Sequence, residues 1–149
     1  MPNETEIVLE YTHFGEIGAS MAREIDEVCE NTALDIQARA QMAIMNPPKS
    51  GRIYKRGNVT HQASAPGEAP ATDTGNLVNS AYTKQLGRAD YETGFTAEYA
   101  AHLEFGTAKI EPRPYLRPAV EAVRDAFMSA IRRIVEEDGW LIRPSPSRR

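Results

Sequence analysis

The residues with the clearest chemical potential lie between positions 99 and 120, in the stretch "YAAHLEFGTAKIEPRPYLRPAV". It combines an imidazole, His102, with a carboxylate, Glu104, and two arginines follow after a turn. A histidine and a carboxylate perform acid–base catalysis when both reach the same substrate atom. On a helix, however, residues two positions apart point about 200° apart. The spacing therefore argues against a shared catalytic site.

Glu104 has three possible roles at this point. A guanidinium fork from Arg113 or Arg117 could bind the carboxylate and fix the turn, since such pairs are planar and often bidentate. The carboxylate could instead contact a neighbouring subunit, or it could take part in catalysis. The ion pair within the chain is the preferred interpretation, because the prolines between residues 112 and 118 return the arginines towards the acid.

No other pattern indicates metal, cofactor or thiol chemistry. The three histidines fall in different predicted elements, without the close ligand spacing of a zinc site. There is no glycine-rich phosphate loop, and the single Cys29 lies inside a helical pattern, where a small half-buried packing residue is expected. We therefore predict no catalytic, cofactor-binding or metal-ligating residue, and a chain that is not an enzyme.

Length and composition predict one domain over residues 1–139 and a C-terminal extension over 140–149. The chain has 149 residues, of which 41% are hydrophobic and 26% charged, as in ordinary globular proteins. No apolar run reaches the roughly 18 residues that span a bilayer, and the N-terminus lacks a signal-peptide pattern. The net charge of −4 combines an acidic first third with an arginine-rich end. Such asymmetry favours docking between unlike neighbours over a dedicated nucleic-acid binder.

Two long helices and short strands are predicted. Residues 6–14 alternate like a strand, and residues 17–45 form a helix that the prolines at 47 and 48 end. The apolar stripe of that helix is Ile17, Met21, Ile25, Val28, Thr32, Ile36, Ala40 and Ala43. A second stripe is Leu116, Val120, Val123, Phe127, Ile131 and Ile134. Pro118 lies in the first turn of this second helix, where a missing N–H is tolerated.

The middle of the chain predicts two hairpins, an exposed loop and two short helices. "RIYKR" and "VTHQAS" form a basic hairpin around Gly57, and "AYTKQLG" and "ADYETGFT" form another around Gly87 and Arg88. The proline- and glycine-rich loop over 64–76 is exposed, and Asp73 or Thr74 caps a brief helix. A helix over 97–105 ends at Gly106 in a left-handed conformation. Together these elements predict an α+β fold, with a small antiparallel sheet packed against two long helices.

Three collinear stretches carry a family resemblance: "ASAPGEAPATDTGNLVNSAY", "EYAAHLEFGT" and "PRPYLRPAVEAV". They resemble the neck and tail-completion proteins of long-tailed double-stranded DNA bacteriophages, over roughly residues 17–137. Ala69 departs from the proline that is common in the family loop, and Tyr115 from the usual phenylalanine. The first strand and the extension lie outside the resemblance.

The resemblance implies a non-enzymatic structural protein of the virion, assembled in the host cytoplasm. Its copies would form a ring, and its partners would be head connector or stopper proteins and tail-terminator or tail-tube proteins. DNA would pass through the ring, and no membrane would be involved. The alternatives are a tail-terminator or stopper ring protein or, from another class, a nucleic-acid-binding module that uses the basic hairpin.

Interface candidates combine the three stretches with the hairpin cations. The cations either discourage aggregation at strand edges or contact a partner, and both interpretations stay open. We expect the loop over 64–76 and the extension over 140–149 to be ordered mainly by neighbours. The predicted interface residues are Lys49, Arg52, Lys55, Arg56, Pro66, Gly67, Glu68, Asp73, Thr74, Glu104, Phe105, Gly106, Thr107, Arg113, Tyr115 and Arg117.

Overall fold

The α+β class predicted from the sequence is confirmed. The computed structural model describes residues 19–46, 49–71 and 75–137. In chain order these form α1 (Ala19–Met45), β1 (Ile53–Arg56), β2 (Val59–Gln62), α2 (Asn76–Asn79), β3 (Ala81–Gly87), β4 (Asp90–Phe95), α3 (Ala100–Phe105) and α4 (Leu116–Glu137). The predicted strand over 6–14, the start of the first helix at 17–18, the prolines at 47 and 48 and the extension over 140–149 lie outside the described residues.

The long helix α1 buries one face along its whole described length. Its buried residues are Met21, Ala22, Ile25, Cys29, Ala33, Ile36, Ala40 and Ile44. The predicted stripe has the correct period, but three of its members are wrong by one position: Val28, Thr32 and Ala43 are each followed by the residue that is buried. Apolar side chains stand at most of these neighbouring positions, so the 3.6-residue period alone does not fix the phase.

The helices α1 and α4 run antiparallel and share two apolar clusters. Ile36 and Ile44 of α1 lie in one cluster with Val123 from the first half of α4. Met21 of α1 lies in the other with Ile134 from the last turns of α4. Burying one such aliphatic side chain contributes about 1.5–3 kcal/mol. None of the helices in the described ranges is long and apolar enough to cross a membrane.

The strands form two separate two-stranded sheets. In the second, β3 pairs antiparallel with β4, and Tyr91 of β4 packs against the cluster around Met21. The Asp26 carboxylate of α1 accepts hydrogen bonds from the backbone N–H of Ala89 at 2.7 Å and from the Tyr91 hydroxyl at 3.3 Å. Ala89 has a φ of 54°, which is unusual for a residue other than glycine. Asp26 therefore joins α1 to the strained turn between β3 and β4.

The first hairpin, β1–β2, is exposed to solvent over almost all of its surface. Its register pairs Ile53 with Gln62 and Arg56 with Val59, as antiparallel neighbours. Gly57 has a φ of 64°, which a glycine adopts at little cost in the tight turn. At its base, Gly51 donates its N–H to Ala63 at 2.9 Å, and a Cβ on Gly51 would meet the Ser64 carbonyl oxygen at 2.5 Å. These contacts anchor the hairpin at its base.

Cys29 lies in the core, as a packing residue. Burial raises the pKa of its thiol to about 11, and the charges of Asp26 and Asp90 act in the same direction. Because the thiolate is the nucleophilic form, a thiol with such a pKa is unreactive near neutral pH. The structure therefore places Cys29 with the apolar residues of α1, more deeply buried than predicted.

Candidate functional site

The carboxylate of Glu104 holds the start of α4. Glu104 lies near the end of α3 and is 8% exposed. One of its oxygens accepts the N–H groups of Tyr115 and Leu116, both at 2.9 Å, and the other accepts that of Arg117 at 2.8 Å. The next residue, Pro118, has no N–H. All four amide positions that a helix leaves without an internal partner are therefore accounted for.

The predicted ion pair of Glu104 with an arginine is wrong. Arg117 contacts the carboxylate through its backbone N–H, and the residue as a whole is exposed. The side-chain Nε of Arg113 is buried and has no hydrogen-bond partner. The physical reason is that the N-terminal amides of a helix are themselves a strong site for an anion, with the helix dipole adding to their attraction. The amides thus take the place predicted for a guanidinium.

Further contacts close the same corner between α3 and α4. Arg113 donates its backbone N–H to the Leu103 carbonyl at 2.7 Å. The hydroxyl of Tyr115 donates to the Ala100 carbonyl at 3.1 Å, and its ring packs edge-on against Phe95 with ring centres 4.9 Å apart. Burial, together with the nearby charge of Glu104, raises the pKa of the Tyr115 phenol well above its usual range. Tyr115 is therefore a buried support of the corner.

Gly106 ends α3 in a conformation that differs from the predicted left-handed cap. Its φ is 73° and its ψ is 176°, a region that glycine alone occupies readily. A Cβ at this position would lie 2.7 Å from the Ile110 carbonyl oxygen and 2.9 Å from Cδ of Pro112. Thr107 donates its N–H to that same oxygen at 2.8 Å. Gly106 thus provides both the turn and the space for the following segment.

The loop after β2 is attached to this corner and to the end of α1. Gly67 donates its backbone N–H to the Pro112 carbonyl at 3.0 Å. The Glu68 carboxylate accepts the hydroxyl and the N–H of Ser50 and the N–H of Ala65. Lys49 donates to the carbonyls of Ala43 at 2.8 Å and Ala69 at 2.9 Å. Burial lowers the pKa of this lysine, and Glu68 partly opposes the change.

The loop was predicted to be exposed, and this is correct only for its tip. Pro66 and Gly67 are exposed, whereas Ser64 and Pro70 are buried. Contacts within the chain hold residues 65–69, and the expectation that neighbours order the loop stays a prediction. The predicted capping residues Asp73 and Thr74 lie outside the described residues. The helix α2 that follows has Gly75 at its N-cap, without a side-chain cap.

Glu68 makes the stability of the protein sensitive to acid. Its three hydrogen bonds, the one from the Ser50 hydroxyl above all, lower its pKa from 4.5 to about 2. A carboxyl with a depressed folded-state pKa stabilises the fold above its unfolded pKa, and this contribution disappears as pH falls through the folded value. We expect Glu68→Gln to flatten the decline in melting temperature between pH 4.5 and pH 2. If the melting temperatures of both proteins fell equally over this pH range, the role of Glu68 in acid sensitivity would be contradicted.

The remaining predicted candidates separate by exposure. His102 is exposed while Glu104 is buried, as their spacing on the helix predicts. The exposed candidates are Arg52, Lys55, Arg56, Pro66, Gly67, Phe105, Thr107 and Arg117, and those turned into the chain are Lys49, Glu68, Glu104, Gly106, Arg113 and Tyr115. Over the described part of the chain, no three histidine, cysteine, aspartate or glutamate side chains are grouped as metal ligands. His13 lies outside that part.

One exposed apolar surface of α1 was not predicted from the sequence. Leu34, Met42 and Met45 are 47%, 54% and 49% exposed. With Ala38 they recur at intervals of three and four residues, so they lie on one line along α1. We call Leu34, Ala38, Met42 and Met45 the outer stripe. The same periodicity that identified the buried face would have revealed this second one.

Comparison with known proteins adds no family to this geometry. No protein-family model matches the chain, and no curated protein or solved structure matches it. The neck-protein interpretation therefore rests on the three stretches of sequence quoted above and on how they meet in space.

Proposed function

We propose that this protein is a non-enzymatic structural subunit of the neck of a long-tailed bacteriophage. In this role, copies of the chain form a ring that completes the tail and joins it to the DNA-filled head. The neighbours of the ring are a head connector or stopper protein on one side and a tail-terminator or tail-tube protein on the other.

The supporting observation is that the three stretches that carry the resemblance converge on one corner. The loop stretch touches the third through the Gly67–Pro112 hydrogen bond. The second and third meet through Glu104, which binds the amides of Tyr115, Leu116 and Arg117. Residues far apart in sequence thus build one joint, and all three stretches contribute to it.

The chemistry of the corner supports a structural role. The Glu104 carboxylate is buried and already accepts three backbone N–H groups, so it has little capacity left to move protons for a substrate. Outside the joint, apolar side chains face the solvent: Tyr99, Phe105 and Ile110 are 40%, 48% and 43% exposed. Exposed apolar side chains of this kind are suited to packing against another protein.

The test is to inactivate the gene in a phage that carries it and to examine the lysate by electron microscopy. Filled heads beside separate tails of normal length are expected, and purified protein added to the lysate should restore joined, infectious particles. Heads that have lost their DNA would indicate a stopper, and tails of irregular length would indicate a terminator. Normal infectious particles made without the protein would contradict the proposal.

A matched pair of variants connects this test to the corner. Phe105→Asp replaces one of these exposed apolar side chains with a charge, and the variant is expected to fold normally yet fail to restore joining. Ser129→Asp adds the same charge at an exposed position of α4, away from the corner, and should restore joining like the unaltered protein. Equal melting temperatures would show that neither change acts through folding.

A further inference from the structure

The outer stripe lies on the side of α1 that faces away from the core. Ile36 and Ala40 are buried, while Leu34, Ala38 and Met42 lie about half a turn around the helix and are exposed. A surface helix normally turns polar residues to water on that side. The second half of α1 is therefore apolar on two opposite faces, and only one of them is covered within the described residues.

The same line becomes acidic towards the N-terminus of α1. Glu27 stands seven residues before Leu34, which places it on the line of the outer stripe, and Glu30 lies beside it. Both are exposed. The uncovered surface of α1 thus has an acidic end and an apolar end.

The β1–β2 hairpin carries the opposite combination on one of its faces. Alternation along a strand puts Arg52, Tyr54 and Arg56 on the same side, and the register places Val59 and His61 opposite them on β2. We call these five residues the hairpin face. Tyr54 and Val59 are 40% and 57% exposed, and the rings of Tyr54 and His61 stack with centres 5.7 Å apart. This face is apolar and basic.

The two surfaces match in chemistry and in length. A four-residue strand extends about 13 Å, and the part of α1 from Glu30 to Ala38 rises about 12 Å. When the strand lies along the helix, the arginine at one end of the hairpin face can therefore lie near Glu27 and Glu30 while the apolar side chains of the face cover Leu34 and Ala38. Exposed methionines such as Met42 adapt to a partner of this kind, since their side chains are unbranched and flexible.

An isolated two-stranded hairpin is at best marginally stable in water, so packing against a helix strengthens it. Two different surfaces of one chain that fit each other make head-to-tail contacts, which close into a ring when the rotation between copies allows it. We propose that the hairpin face of one copy packs on the outer stripe and its acidic end, Glu27 and Glu30, in the next copy. This inference rests on the ring of the proposed function and names the surfaces that build it.

Charge reversal in the full-length chain tests the contact. The hairpin variant combines Arg52→Glu with Arg56→Glu, and the helix variant combines Glu27→Arg with Glu30→Arg. Each alone should raise the dissociation constant of self-assembly about tenfold or more, because attraction at the acidic end of α1 becomes repulsion. A one-to-one mixture of the two variants should assemble again, as should a chain that carries all four changes. Analytical ultracentrifugation and native mass spectrometry measure both effects.

Two controls isolate the surfaces. Lys55→Glu makes the same kind of reversal on the other side of the hairpin, and Glu121→Arg makes it on an exposed position of α4. Both should assemble like the unaltered protein. Melting temperatures of all variants should agree, so that a loss of assembly reports on contact and not on folding.

Three results of the assembly measurements would overturn the inference. They are an unaltered protein that stays monomeric at all accessible concentrations, assemblies that neither reversal weakens, and reversed variants that do not recover when mixed. If the hairpin variant loses salt-dependent DNA binding while its assembly is unchanged, the hairpin contacts DNA and the inference is equally overturned. The phage experiment separates these outcomes from failure of the neck proposal, which is decided by whether heads and tails join without the protein.

Discussion

Glu104→Ala is expected to lower the free energy of unfolding by about 2–4 kcal/mol, because it removes three hydrogen bonds to a charged group at one helix start. The amides of Tyr115, Leu116 and Arg117 lose their acceptor while the corner around them stays partly buried. Denaturation in urea, followed by circular dichroism, measures the change. The loss should appear as a lower midpoint, since the surface exposed on unfolding is nearly unchanged.

Related variants show which property of Glu104 matters. Glu104→Gln keeps one acceptor oxygen but turns an NH₂ group towards the remaining amides, so an intermediate loss of about 1–2 kcal/mol is expected. Glu111→Ala removes an exposed carboxylate from the same segment and should change stability by less than about 0.5 kcal/mol. If the Glu104 and Glu111 variants were equally stable, the carboxylate would not hold the start of α4.

Gly106→Ala is the second substitution with a large expected effect. A Cβ at this position would lie 2.7 Å from the Ile110 carbonyl oxygen and 3.0 Å from the Pro112 nitrogen, which are backbone atoms with little freedom to move. The φ of 73° adds strain for any residue with a side chain. We expect a loss of about 3 kcal/mol or more, measured as a lower urea midpoint.

Gly57→Ala is the matched control for Gly106→Ala. Gly57 also has a positive φ, 64°, but a Cβ there would meet nothing within 4 Å. Only the conformational cost remains, about 1 kcal/mol. The difference between the two alanine variants therefore measures the steric clash at the corner. Equal losses would show that the segment from Ile110 to Pro112 relaxes to make room.

Features that depend on residues close in sequence were predictable. The period of apolar residues identified both long helices, and the glycine between "RIYKR" and "VTHQAS" located the first hairpin. The placement of Pro118 in the first turn of α4 followed from its missing N–H in the same way. In each case the interactions that determine the local structure join residues only a few positions apart, so the local sequence is enough to predict it.

The partner of Glu104 was not predictable, because guanidinium groups and helix amides are both good donors to a carboxylate. The sequence places Arg113 and the start of α4 equally near, and only the path of the chain around Gly106 selects the amides. The separation of the strands into two sheets likewise depends on packing against α1 and not on the strands themselves. The outer stripe has a local signal in the three- and four-residue spacing of its apolar side chains.

The antiparallel pairing of α1 with α4 has a consequence for how the protein folds. Met21 and Ile134 meet although nearly the whole described chain separates them. Contacts of such long sequence separation slow folding, because the entropy of closing the chain is lost before they form. During synthesis, the part of the buried face of α1 that α4 covers therefore stays exposed until α4 has been made. Throughout that interval the nascent chain is open to aggregation and to capture by chaperones.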